Sequence, residues 1–378
     1  MVERYQNYVG GAWTDATSGD VSTSSNPADH SDVIGEFQAS NSADADAAIT
    51  AASNAKEGWR RTSSLVRGGY LFKAATYLEN NLEEYAQAVT RESGKAILES
   101  RGEVGRAIAL LQYYGVEGSN PVGTVVPSVN PNILLYTNRM PLGVISLITP
   151  WNFPIAIPIW KMAPALVYGN TVVLKPASAT PHVATLIARM WEAVDLPAGV
   201  FNLLTGSGGA VGNELVTSSR VSAISFTGST RIGMQIAVDS AKHGKKYQLE
   251  MGGKNPVIVL PDADLEQAAE ITVSGAMKYS GQKCTATSRA IVVGNVIEEF
   301  TSLVVEKTMA LKIGPGVDAD SVVVPVIDQT SKDNITSIID RGVADGGTVL
   351  TGGGAPTGPE YDSGTFVEPT VITKVAPD

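Results

Sequence analysis

One cysteine, Cys284, is all the thiol chemistry that this 378-residue chain offers. A lone thiol cannot close an intramolecular disulfide, and a four-cysteine metal site is excluded with it. Histidine is almost as scarce: His30, His182 and His243 are the whole supply. No cluster has metal-ligand spacing. His243 stands among lysines and reads as a surface residue. None of the three is set as a base for the thiol, which weighs against a cysteine hydrolase. Positive charge is in short supply as well. Lys and Arg number 28 against 38 Asp and Glu, a net charge of −10, which argues against a basic nucleic-acid surface. Unbroken apolar runs are missing too. The most apolar stretch, 144–173, is interrupted by Pro150, Pro154, Pro158 and Pro164 and carries Asn152, Lys161 and Asn170. A bilayer-spanning helix does not tolerate that pattern. The first six residues lack the basic and apolar blocks of a signal peptide, and together with the free thiol this leads us to expect a reducing cytoplasm.

What remains is the material of an ordinary globular protein, 43% hydrophobic and long enough for two or more domains. Residues 8–13, with the pair Gly10-Gly11, read as a hairpin. Residues 43–59, 64–90 and 92–114 are amphipathic and read as three helices. Residues 120–139 hold Pro121, Pro127 and Pro131 with alternating apolar positions, the pattern of an extended hairpin leaving the body. From Gly143 onward strand and helix alternate. Strands are expected at 144–148, 171–175, 200–204 and 223–226. Helices are expected at 158–168, 181–194, 210–217 and from Thr230. This rhythm specifies an α/β fold with a parallel sheet covered on both faces. After Gly252-Gly253 a second α/β unit is expected: strands at 255–260, 289–293 and 348–351, helices at 264–279 and 334–345, and a glycine-rich loop at 352–364.

Ligands of a parallel sheet sit at the carboxyl ends of its strands. That rule aligns Pro150 to Phe153, Lys175 to Ser178, Gly206 to Gly209 and Thr227 to Gly233 along one rim. Gly228-Ser229-Thr230 opens a helix after a strand, where free N–H groups bind phosphate, although the three-glycine dinucleotide fingerprint is missing. Lys175 either reaches ribose and phosphate oxygens or faces solvent. Glu250, between Leu249 and Met251 and ahead of a glycine pair, is expected to be partly buried, a setting suited to a general base; a salt bridge to Lys254 or another lysine is the alternative. Asn152, in a proline-fixed apolar loop, either donates to an oxyanion or is a plain turn residue. Cys284 is either a small core residue or a nucleophile. The flanking Gly281, Gln282, Thr285 and Ser288 do not suit a core element.

Five segments together resemble the aldehyde dehydrogenase superfamily: Pro150-Trp151-Asn152-Phe153-Pro154, Lys175-Pro176-Ala177-Ser178, Phe226-Thr227-Gly228-Ser229-Thr230, Leu249-Glu250-Met251-Gly252-Gly253-Lys254 and Gly281-Gln282-Lys283-Cys284. They occur in family order and cover essentially the whole chain. The resemblance implies a Rossmann-type cofactor domain from 1–119 and 141–250. It also implies an oligomerisation hairpin at 120–140, a catalytic domain at 251–378, and a homodimer or homotetramer. It implies that Cys284 attacks an aldehyde, that Asn152 holds the oxyanion, and that Glu250 activates the water that hydrolyses the thioester. The cofactor set so implied is Ile148, Pro150, Trp151, Lys175, Ala177, Ser178, Gly208, Gly212, Phe226, Thr227, Gly228, Ser229, Met251 and Gly252, with no metal. Ser178 stands where NAD-preferring members often carry Glu, so NADP is expected to be accepted and preferred over NAD. Segments 155–161 and 281–289 look closest to 2,5-dioxopentanoate (α-ketoglutaric semialdehyde) dehydrogenases. Succinic-semialdehyde members typically carry Arg where Trp160 stands. Family members continue beyond Asp378 with a Glu-x-Phe-Gly-Pro segment, so the expectation is an incomplete chain or an inactive form. A cysteine hydrolase and a non-catalytic cofactor-binding relative are the competing classes.

Overall fold

The computed structural model describes residues 2–120 and 122–375. Its first strands are β1 (Arg4–Tyr5), β2 (Asn7–Val9), β3 (Ala12–Thr14), β4 (Val21–Asn26) and β5 (Asp29–Gln38). β2 and β3 are the hairpin expected around Gly10-Gly11. The β4–β5 hairpin had no counterpart in the sequence reading, because the serine-rich β4 shows no apolar alternation.

Four helices follow: α1 (Ser42–Arg61), α2 (Ser64–Asn80), α3 (Leu82–Ser93) and α4 (Ile97–Glu117). An Asn41–Asp44 capping box starts α1. The expected helix 64–90 is two helices, since Asn81 leaves helical geometry at φ −118° and ψ 20°. The expected helix 92–114 is also corrected. α3 ends at Ser93, Gly94 takes φ 74°, and α4 starts only at Ile97. A side chain at that φ is strained, so glycine breaks the helix there. The break turns Lys95 into the interior.

The short antiparallel pair β6 (Val125–Val126) and β7 (Leu135–Tyr136) stands exposed within the stretch expected to be a hairpin. Pro121, part of that stretch, lies outside the described residues. The alternating unit then runs β8 (Val144–Ile148), α5 (Ala156–Val167), β9 (Thr171–Lys175), α6 (Pro181–Ala193), β10 (Phe201–Leu203), α7 (Asn213–Thr217), β11 (Val221–Gly228), α8 (Thr230–Lys242) and β12 (Lys246–Met251). The expected helix 210–217 begins instead as a single π-helical turn, Gly208–Gly212, before α7. β12 was not anticipated as a strand, because Lys246–Met251 is polar and largely exposed.

These strands form one seven-stranded sheet in the order β12-β11-β8-β9-β10-β2-β3. The first five are mutually parallel, and β2 and β3 join antiparallel. From β8 the chain moves outward through β9 and β10, then returns to the other side of β8 for β11 and β12. The direction of winding therefore reverses between β8 and β11. Their carboxyl ends open a crevice there, which is where such sheets bind ligands. Successive residues alternate between two cores, as the pleat requires. Ile145, Leu147, Val172 and Leu174 pack with α2, α4, α5 and α6 around Trp191 and Leu111. Val144 and Val173 pack with Ala48 and Ile49 of α1 and Leu215 of α7.

The remaining chain builds β13 (Asn255–Val259), α9 (Leu265–Met277), β14 (Thr287–Val292), α10 (Ile297–Met309), α11 (Gln329–Ala344), β15 (Thr348–Thr351) and β16 (Val371–Thr373). β13 and β14 pair in parallel over a small core of Val259, Ala269, Val273 and Phe300. No helix among the described residues is long and apolar enough to cross a membrane.

Leu147, fully buried at the centre of the larger core, tests this packing. Leu147→Ala is expected to lower stability by about 2–5 kcal/mol, seen as a lower urea midpoint at unchanged slope.

Candidate active site

The crevice between β8 and β11 begins at Ile148, which pairs in register with Lys175 on one side and Phe226 on the other. Lys175 is not solvent-facing. It is 4% exposed, and its Nζ donates to the Pro176 carbonyl at 2.6 Å. Burial pushes this ammonium down to about 8. Its stem passes 3.9 Å from where a Cβ on Gly212 would lie. Ser178 is exposed and donates from Oγ to the Gly206 carbonyl at 3.2 Å. The Lys175–Ser178 segment, Ala177 included, and the Gly206–Gly212 segment therefore form one wall.

The opposite wall is the turn from β11 into α8. Ser229 caps α8, its Oγ accepting from the Ile232 N–H at 3.4 Å. Ser229, Thr230 and Arg231 are exposed, so the first turn of a 13-residue helix is open to an anion. The glycines here also answer to packing. A Cβ on Gly228 would lie 2.5 Å from the Phe226 ring, and one on Gly233 the same distance from the Met251 sulfur. At Gly208, Gly209 and Gly252 a Cβ would meet nothing within 4 Å. An open floor, a helix N-terminus and a nearby lysine fit a dinucleotide with phosphates.

Cys284 arrives by an irregular path. α9 stops at Met277, short of the expected Tyr279, and a 3₁₀ turn, Lys278–Gly281, follows. Inside it Tyr279 and Ser280 hold φ of 55° and 52°. Such values cost a non-glycine residue roughly 1–3 kcal/mol each and persist only where surroundings impose them. Those surroundings are present. The Tyr279 ring is fully buried, and Ser280 Oγ accepts from the Val324 N–H at 3.0 Å. Gln282 Oε1 accepts from the Ile327 N–H at 2.9 Å, and Asn255 Nδ2 donates to the Cys284 carbonyl at 2.8 Å. The backbone is pinned and the thiol is left exposed, which removes the reading of Cys284 as a core residue.

Asn152 meets this loop directly: its Nδ2 donates to the Gln282 carbonyl at 2.9 Å, while its buried Oδ1 has no partner. Behind it lies an ion pair that sequence reasoning did not find. The Lys95 ammonium contacts the Glu103 carboxylate, with both side chains essentially buried. Lys95 Nζ also donates to the Asn152 carbonyl at 2.7 Å. It stands 4.0 Å from the Phe153 ring centroid and 4.5 Å from that of Tyr279. Glu103 Oε1 accepts from the Ile155 and Ala156 N–H groups at 2.9 and 3.0 Å. One lysine thus touches both the Asn152 loop and the cysteine turn. Burial pushes its ammonium down, and the Glu103 charge opposes that shift. The sequence hides this pair because its amphipathic periodicity carries both residues in one continuous helix, where charges ordinarily face water.

Glu250 corrects another expectation. It is exposed rather than partly buried, because β12 is the edge strand of the sheet. Its Oε1 accepts from Gln248 Nε2 at 2.9 Å, and it enters no ion pair with Lys254 or any other lysine among the described residues. Nearby, burial pushes the Lys161 ammonium down to about 8 against the opposing charge of Glu250. The histidines stay apart. His182 is packed by the Tyr5 and Phe37 rings, and burial pushes its imidazole down to about 4. His30 and His243 are exposed. Among the described residues no group of three His, Cys, Asp or Glu could hold a metal.

Lys95→Met leaves a buried carboxylate without a countercharge, and the expected loss of stability is about 3–5 kcal/mol. Lys95→Met combined with Glu103→Gln should recover most of it, since no orphan charge remains. Paired urea titrations of the single and double variants check this; equal losses in both would refute it.

The profile of the aldehyde dehydrogenase family matches residues 13–378. The chain is 46% identical to an alpha-ketoglutaric semialdehyde dehydrogenase of Bacillus subtilis, over 98% of this chain and 76% of that protein. A solved 3,6-anhydro-L-galactose dehydrogenase in complex with NADP superposes with a TM-score of 0.95 at 35% identity, over 99% of this chain and 78% of the other. Betaine aldehyde dehydrogenase of Staphylococcus aureus, solved with NAD+, gives a TM-score of 0.96 at 31% identity, over 98% of this chain and 74% of the other. The chain belongs to the aldehyde dehydrogenase family.

Proposed function

We propose that this protein oxidises 2,5-dioxopentanoate to 2-oxoglutarate, with Cys284 as nucleophile, Asn152 as oxyanion donor and Glu250 as the base of hydrolysis. The observation that carries the assignment is the bond from the Asn152 amide to the cysteine turn, beside an exposed thiol. The Cys284 thiolate adds to the aldehyde carbon, and the resulting oxyanion is held by the free N–H of the Asn152 amide and the Cys284 backbone N–H. The bound nicotinamide cofactor supplies the hydride acceptor. Loss of hydride from the tetrahedral adduct leaves a thioester on Cys284. Glu250, on an exposed strand that water reaches freely, takes a proton from the water that attacks the thioester. The carboxylic acid leaves and the thiol is regenerated.

The dinucleotide would lie along Ile148, Pro150, Trp151, Lys175, Ala177, Ser178, Gly208, Gly212, Phe226, Thr227, Gly228, Ser229, Met251 and Gly252. Lys175 and the α8 N-terminus supply its positive field. Serine at 178 leaves no carboxylate to repel a 2′-phosphate, which supports a preference for NADP. The name of the Bacillus subtilis relative supports the substrate. Residues 1–119 and 141–250 would form the cofactor domain and 251–378 the catalytic domain. The exposed Val125, Leu134, Leu135 and Tyr136 of the 120–140 hairpin suit burial against another copy in a dimer or tetramer.

Cys284→Ala is expected to reduce aldehyde-dependent NAD(P)H formation to background. Glu250→Gln is expected to keep the first-turnover burst while slowing steady state by about 10²–10⁴-fold. Stopped-flow absorbance reads both, and an undiminished steady state would remove Glu250 from the mechanism. The substrate is checked with a panel of 2,5-dioxopentanoate, succinic semialdehyde and unbranched aldehydes; poor turnover of the first would sink it. For the cofactor, Ser178→Glu should move the NADP-to-NAD ratio of kcat/KM toward NAD by about tenfold or more, roughly 1.4 kcal/mol. A wild-type enzyme more efficient with NAD would overturn the preference.

A further inference from the structure

One face of α4 runs past the cysteine turn, the Asn152 loop and the first turns of α5. Glu99, Glu103 and Arg106 follow one another at helical spacing, four and then three residues apart, and so share that face. Each meets a different part of the site. Glu99 pairs with Lys283, next to the nucleophile, at 2.6 Å. Glu103 holds the Ile155 and Ala156 N–H groups at 2.9 and 3.0 Å, just beyond Asn152. Arg106 lies with its guanidinium carbon 5.5 Å from the ring centroid of Trp160, which stands one turn beyond Ala156 on α5. The two acids are thus matched, Glu99 with Lys283 and Glu103 with Lys95. Arg106 has no acid partner among the described residues. It is exposed, as is Trp160 at 50%.

We infer that Arg106, held over the Trp160 indole, is the specificity-determining residue that receives the remote carboxylate of the substrate. A guanidinium on an aromatic face keeps its in-plane N–H donors free for a carboxylate fork. The helical rise sets the Glu99 and Arg106 positions roughly 10 Å apart. A five-carbon semialdehyde spans roughly 5 Å from carbonyl carbon to carboxylate carbon. The flexible arginine stem covers the difference. Trp160, which has no charge to offer, serves as the platform for a cation delivered from the neighbouring helix.

This inference rests on the proposed preference for a carboxylated aldehyde. The test compares kcat/KM for 2,5-dioxopentanoate and for pentanal, of equal chain length but uncharged, in wild type, Arg106→Gln and Arg106→Lys. Losing a charge-assisted fork should lower the 2,5-dioxopentanoate value by about 10- to 100-fold, mostly through KM, with pentanal changed less than about twofold. Arg106→Lys should recover part of the loss. If wild type favours the semialdehyde and Arg106→Gln leaves the ratio unchanged, or lowers both substrates alike, the assignment of Arg106 is overturned alone. A wild-type enzyme that prefers pentanal, or turns over neither, overturns the substrate reading and this inference with it.

Discussion

Lys95 holds its charge where water does not reach. A buried ammonium is tolerated only with a countercharge and full hydrogen bonding, and Glu103, the Asn152 carbonyl and two aromatic faces supply these. Because the group must be satisfied, its partners cannot drift. The Asn152 loop, the start of α5 and the buried Tyr279 of the cysteine turn are therefore tied to one point. Removing either charge would leave the other buried and unpaired at the point where they meet. The same low-polarity surroundings that make the pair expensive also make it rigid.

The parallel sheet supplies the second constraint. Winding outward from β8 in both directions leaves one crevice, and the turns bordering it hold phosphate-compatible backbone, a buried lysine and open glycine positions. Cys284 comes from elsewhere, on a turn whose backbone is strained at Tyr279 and Ser280 and pinned through Gln282 and Asn255. Strain held in place by a scaffold keeps the thiol at the surface of a rigid turn instead of letting it sink into a core. α4 unites the two systems, because its one face touches the cysteine turn, the Asn152 loop and Trp160 in succession.

The strands 144–148 and 171–175 were legible to the residue, since buried parallel strands are short apolar runs bounded by turn residues. So was the lone thiol's exclusion from disulfides. β12 is not legible, because an edge strand with one face toward water carries no apolar pattern, and the exposure of Glu250 is hidden for the same reason. The helix break at Gly94 is not legible either, because amphipathic periodicity continues on both sides of it. That single break decides that Lys95 faces inward.

Sequence alone determined the residue types available for chemistry: one thiol, no usable histidine beside it, an amide in a proline-bounded loop, and glycines at strand ends. Local propensity and composition suffice for that. Tertiary structure decided which of them meet. The bond from Asn152 to the cysteine turn and the Arg106–Trp160 contact join segments far apart along the chain or on different helices, and the Lys95–Glu103 pair closes across the break at Gly94. Such meetings follow from sheet order and helix packing, which no local pattern encodes.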